Sequence, residues 1–138
     1  MDATRTFTTL AWISLPTVMY GGYSLRHVME QGDSLTPFQE TYVRAGHAHA
    51  GVLLILALPY YRALEEGRLS ARARWVGGGL YVGGLLAQSG GFFLHMAVGK
   101  PGPRSVGTTV TTAGARARAR ARARAAASLF SAYASLRR

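Results

Sequence analysis

The sequence predicts an all-α fold, an integral membrane up-down helical bundle with three clear transmembrane helices and a degenerate fourth. Three observations carry that expectation. Long apolar runs alternate with short charged gaps. Each run is close to the roughly 20 helical residues that cross a hydrocarbon core. The connections are short, which makes sequential helices antiparallel neighbours.

The first span is expected near residues 7–28. Its heart, FTTLAWISLPTVMYGGYSL from Phe7 to Leu25, has no charged residue. Pro16 sits inside it, and a membrane helix tolerates that as a kink. The segment before it, with one Asp and one Arg, lacks the positive character of a signal peptide, so a retained helix is expected. The second span is expected near 42–61 and contains AGHAHAGVLLILALPYY, from Ala45 to Tyr61. Tyr60 and Tyr61 suit an interfacial aromatic belt.

The third span is expected near 75–99, WVGGGLYVGGLLAQSGGFFLHMAVG. Seven glycines between positions 77 and 91 would cripple a soluble helix. In lipid they permit close helix–helix approach. Gly79 and Gly83 form one small-xxx-small pair. Gly84, Gln88, Gly91 and His95 share a second face at helical spacing. Ordinary helix packing explains such a stripe; close approach of a flat cofactor is the sharper alternative.

Charge sets the expected orientation. Arg62, Arg68, Arg72 and Arg74 lie between the second and third spans, while Glu30, Asp33 and Glu40 lie between the first and second. The positive-inside rule places the arginine loop, and hence the N-terminus, in the cytoplasm of a multi-pass cell-membrane protein.

Residues 1–114 form the expected bundle, and 115–138 an Ala/Arg-rich tail. Seven of the sixteen basic residues lie in that tail, so residues 1–114 carry only +3 of the net +10. The basic balance therefore belongs to the tail, and no nucleic-acid partner is expected. Arginine at every second position reaches all sides of a helix. Five such residues would cost roughly 12–17 kcal/mol to insert at ~2.5–3.5 kcal/mol each. A lipid-head-group grip is one reading of the tail. Another is a shifted reading frame: GCTCGC repeats encode Ala-Arg, and moving the frame by one nucleotide gives Leu-Ala, a natural fourth transmembrane helix.

Cysteine is absent, which excludes disulfides, zinc–thiolate sites and iron–sulfur clusters. No nucleophile–base pair, phosphate loop or paired carboxylate supports a hydrolase, and a stand-alone enzyme is not expected. The four histidines carry the candidate chemistry. His27 ends the first span, His47 and His49 begin the second, and His95 ends the third. In alternating helices all four fall at the non-cytoplasmic face. Interfacial histidines are often only amphipathic fillers, but ionisable groups in membrane segments are costly and commonly functional.

His47 and His49 point about 200° apart on a helix, so they cannot chelate one ion together. Neutral imidazole suits haem iron, copper or zinc. One choice is haem b between facing helices, held by His47 or His49 and by His95, with Arg44 near a propionate. Another is a copper or zinc ion held by three histidines, His27 included. A third is no metal at all, with a quinone head group or a proton relay served by the histidines, Arg44, Glu40 and Gln88.

The stretch Arg44–Pro59, RAGHAHAGVLLILALP, resembles the second helix of subunit I in the haem–copper oxidase and nitric oxide reductase superfamily. Arg44-x-x-His47 is similar to the R-x-x-H of the nitric oxide reductase branch, and Ala48-His49-Ala50 to the A-H-A of the aa3-type branch. The resemblance implies a low-spin haem on His47 or His49. Family members have many more helices and a second metal centre, so oxygen or nitric oxide reduction is not implied. The expectation is a small haem-binding membrane protein for electron transfer or sensing. The alternatives are a copper or zinc protein and a non-catalytic accessory subunit, which packs its glycine faces against a larger membrane complex or a second copy.

Overall fold

The computed structural model describes residues 2–32, 35–98, 101–102 and 104–136. Among the described residues, four helices form an up-down bundle: α1 Ala3–Glu30, α2 Pro37–Glu66, α3 Ala71–Val98 and α4 Val106–Leu136. Among the described residues there is no strand. Asp33, the expected span end at Gly99, and Arg137 and Arg138 lie outside the described residues.

Each helix begins where its sequence supplies a cap. Asp2 accepts from the Thr4 backbone N–H and from its hydroxyl, and these bonds, the hydroxyl's foremost, hold the Asp2 carboxyl below its usual value. Thr36 and Gln39 make a reciprocal capping box, with Pro37 at the first helical position. The Ser70 hydroxyl accepts from Ala73 N–H at the start of α3. Ser105 and Thr108 exchange backbone-to-hydroxyl bonds at the start of α4. The α1 end turns at Gly32, whose φ of +63° favours glycine.

The helices outrun the expected spans at most ends because amphipathic turns extend them into the connections. By length and composition, α2 is the one helix among the described residues long and apolar enough to cross a membrane. Thr, Ser and Gly dilute α1, and seven glycines with Arg72 and Arg74 dilute α3.

α3 is the central helix and touches the other three. Its contact with α4 is the most extensive in the bundle. Gly84 and Gly91 on α3 meet Gly114 and Gly107 on α4, two glycine pairs one heptad apart. A Cβ on Gly114 would lie 2.5 Å from Gln88 N and 2.6 Å from Gly84 O. A Cβ on Gly91 would lie 2.6 Å from Gly107 O. The two backbones themselves are in contact, so the stripe that could have received a flat cofactor is filled by a helix.

On its other side α3 meets α2 through aromatics. Tyr60 and Tyr61 turn into the core, 6% and 1% exposed, rather than outward to an interfacial belt. Tyr60 stacks on Tyr81 at 4.4 Å between centroids, and Phe7 stacks on Tyr61 at 5.6 Å. Tyr60 and Tyr81 can be buried because their hydroxyls find helix carbonyls. Tyr81 donates to Leu53 O at 3.1 Å, and Tyr60 donates to Gly77 O at 3.0 Å. Gly77 leaves that carbonyl reachable: a Cβ there would sit 3.1 Å from the Tyr60 oxygen.

α4 runs unbroken from 106 to 136, through the expected boundary between bundle and tail. Gly114, Arg118, Ala121 and Ala125 face inward at intervals of three to four, while Arg116, Arg120, Arg122 and Arg124 are exposed. Alternation thus sends one arginine of the five into the core. Arg118 is 9% exposed. Its Nε donates to Gln88 Oε1 at 3.1 Å, and its Nη2 donates to the same oxygen. Its guanidinium lies 5.9 Å from the Tyr81 ring centre. A buried charge requires such partners.

Candidate histidine site at the open end of α2 and α3

His95 lies one turn beyond Gly91 on the α3 face turned toward α4 and is fully buried. Its Nδ1 is 2.5 Å from the Ser105 hydroxyl, the residue that caps α4. Ser105 Oγ already accepts from Thr108 N–H at 3.3 Å. The cap therefore ties the end of α3 to the start of α4 and fixes the imidazole. The opposite nitrogen, His95 Nε2, is buried with no hydrogen-bond partner. The serine hydroxyl both donates and accepts, so this bond admits either tautomer; in the one that carries its proton on Nδ1, Nε2 presents a bare lone pair. A metal-binding imidazole is held in this way, with one nitrogen anchored and the other free.

Two aromatic edges from the start of α2 close over the ring. Tyr42 packs edge-on at 4.3 Å between centroids and Phe38 at 5.2 Å. Thus His95 faces Tyr42 at its own level.

His49 is the second anchored imidazole. Its Nδ1 lies 2.8 Å from Ala45 O. A carbonyl only accepts, so Nδ1 carries the proton and Nε2 is the unprotonated nitrogen. The ring lies 4.7 Å from Phe92 of α3, and Phe92 is 6.3 Å from Tyr42. A continuous series of ring contacts therefore runs His95, Tyr42, Phe92, His49.

His47 turns the other way, as the 200° spacing requires. It packs against α1, where the absence of side chains at Gly21 and Gly22 makes room. A Cβ on Gly22 would lie 2.6 Å from His47 Nε2. His27 is exposed at the end of α1 and shares a hydrogen bond with Gln31 at 3.0 Å. Arg44 is exposed, paired with Glu40 at 2.5 Å, and donates to Met29 Sδ at 3.1 Å. The structure therefore brings His95 and His49 to one α2–α3 seam and leaves His47, His27 and Arg44 along α1. Among the described residues, no three His, Asp or Glu side chains gather as a metal site.

Sequence reasoning missed Ser105, Tyr42 and Phe38 as the surroundings of His95. The Ser105-x-x-Thr108 spacing was the available signal, since that pattern marks a helix start. It could place Ser105 at the end of the bundle where His95 lies.

No protein-family profile, curated protein or solved structure matches this chain.

Proposed function

We propose that the chain is a small multi-pass membrane protein that binds haem b through His95, with His49 as the second imidazole, for electron transfer or sensing. The observation that carries this reading is the fully buried His95 ring, anchored at Nδ1 and unpartnered at Nε2. His49 is favoured over His47 because it too is anchored at Nδ1 and lies on the α3 side of α2. The α3 glycines do not serve as the cradle, since α4 fills them. Tyr42 and Phe92 stand between the two imidazoles, so ligation by both requires those rings to move. Bound haem would supply a one-electron iron couple. The protein's own part is to hold the His95 ring in place through Ser105 and to keep water out with Phe38 and Tyr42.

The membrane setting is supported by the outer surface. Trp12, Ile13, Met19, Val52, Ile55 and Leu86 are all more than half exposed. So many large apolar side chains turned outward suit a lipid environment better than water. The arginine loop at 62–74 supports a cytoplasmic N-terminus.

The test is an absorption spectrum of the detergent-purified protein, oxidised and reduced. A Soret band is expected, lost in His95→Ala, weakened or shifted in His49→Ala and unchanged in His47→Ala. A colourless wild-type protein purified from haem-replete cells would overturn the reading.

One observation favours an accessory subunit instead. Gly79, Gly83 and Ala87 on α3 line an outer groove of about 320 Å³ with Ala113 and Ala117 on α4. A Cβ on Gly79 or Gly83 would meet nothing within 4 Å. Grooves of small residues accept a neighbouring membrane helix closely. On this reading, Gly79→Leu shifts the purified protein to a smaller assembly in size-exclusion chromatography, and an unchanged size argues against it.

A further inference from the structure

The core takes up one α4 arginine and leaves the others outside. Arg116, Arg120, Arg122 and Arg124 are exposed. No carboxylate balances them. Residues 67–138 contain no Asp or Glu. Among the described residues, the ion pairs are Arg26–Glu30 within α1, and Arg44–Glu40 and Arg62–Glu66 within α2. The glycine pairs 84 with 114 and 91 with 107 make α4 antiparallel to α3. The chain therefore returns along α4 to the end that carries the arginine loop. There a Cβ on Gly67 would lie 2.8 Å from Ser128 Oγ. Counted back from Ser128 at ~1.5 Å per residue, Arg122 lies about 9 Å from that end and Arg116 about 18 Å.

Arg122 stands on the wall of a groove. α2 and α4 touch only lightly, and between them lies a groove of about 230 Å³. Leu56 and Pro59 of α2 and Ala126 and Leu129 of α4 line it, and Arg122 is the one charged residue on its walls. Leu56, Pro59 and Ala126 are exposed, so the groove opens on the outer surface of the bundle.

We infer that this groove holds an anionic phospholipid, with its phosphate on the Arg122 guanidinium and an acyl chain along Leu56, Pro59 and Leu129. The inference rests on the membrane setting proposed above. In that setting an arginine this close to the end of the bundle is costly without a counter-ion. The protein supplies no acidic side chain for it, and lipid phosphates are arrayed at the membrane surface. Guanidinium and phosphate match as a paired hydrogen-bonding fork. The apolar walls select a lipid over a soluble anion, because they cover a hydrocarbon chain and offer nothing to inorganic phosphate or an acidic peptide. Basic pockets between helices on the cytoplasmic side hold anionic head groups in this way. No bond is made or broken; this is a binding site.

The test is native mass spectrometry of the detergent-purified full chain, titrated with dioleoylphosphatidylglycerol and, as the blank, dioleoylphosphatidylcholine. The two lipids share their chains and differ in head-group charge. Saturable uptake of phosphatidylglycerol is expected, about tenfold tighter than phosphatidylcholine. Arg122→Gln is expected to abolish that preference, while Arg116→Gln, outside the groove, keeps it. Ala126→Phe fills the groove from an exposed position and leaves every charge in place. It is expected to keep wild-type helicity by circular dichroism and to weaken phosphatidylglycerol binding about tenfold. His95→Ala is expected to bind the lipid as the wild type does, which separates this site from the haem reading. Equal affinity for the two lipids overturns the inference, as does an equal loss in Arg116→Gln and Arg122→Gln, which would mark a diffuse cationic face. Unchanged binding in Ala126→Phe, or displacement of the lipid by inorganic phosphate or polyglutamate, overturns it too. Recovery of the protein from cells without detergent would overturn the membrane setting and this site with it; loss of the head-group preference in detergent-extracted protein overturns this site alone.

Discussion

Gly114→Val is expected to destabilise the bundle by about 3 kcal/mol, the upper end for forcing extra volume into a packed interior. The glycine sits against backbone atoms, and backbone cannot rotate aside. A Cβ at 114 would already lie 2.5 Å from Gln88 N and 2.6 Å from Gly84 O, and valine adds two methyl groups. α4 must then move away from α3, breaking the glycine pairing at 91 and 107 as well. Unfolding in detergent by increasing SDS, followed by circular dichroism, measures the loss. Gly79→Ala is the matched control. It lies on the partner helix α3, in open space. There the gain in helix propensity of about 0.5–1 kcal/mol applies without a clash. Equal stability of Gly114→Val and wild type would mean that the α3–α4 contact is not as close as described.

Gln88→Leu is expected to cost about 2–3 kcal/mol, because it strips the Arg118 guanidinium of two hydrogen bonds donated to one carbonyl oxygen. The cation near Tyr81 remains buried, and that contact offsets only part of the loss, roughly 0.5–1 kcal/mol. The informative companion is Gln88→Leu with Arg118→Leu. Replacing a buried polar pair by apolar residues of similar size is often neutral or stabilising. The double variant is therefore expected to recover most of the wild-type stability in the same SDS titration. If the double variant is as weak as the single one, Arg118 is not buried against Gln88.

The two predictions differ in what the sequence could anticipate. Helical spacing alone puts Gly84, Gln88, Gly91 and His95 on one face, and the structure shows that face turned to α4. Spacing also separates His47 from His49, which the structure places against α1 and α3 respectively. What lies opposite each face was not legible. Glycine permits close approach by a helix or by a flat ring, and periodicity carries no information about which arrives.

By itself, then, the sequence determined three antiparallel helices and the end of the bundle at which the histidines collect. These follow from local rules: apolar runs, short connections and 3.6-residue periodicity. Only the tertiary structure decided that Arg118 is the arginine turned inward, that Tyr60 and Tyr61 face the core, and that His95 is anchored by Ser105 beneath Tyr42 and Phe38. Each of these depends on a partner from another helix. Arg118 needs the Gln88 oxygen, Tyr60 needs the bare carbonyl of Gly77, and His95 needs the hydroxyl capping α4. The rotation of each helix about its axis is set by satisfying those buried polar groups together, and that condition is not local to any stretch of chain.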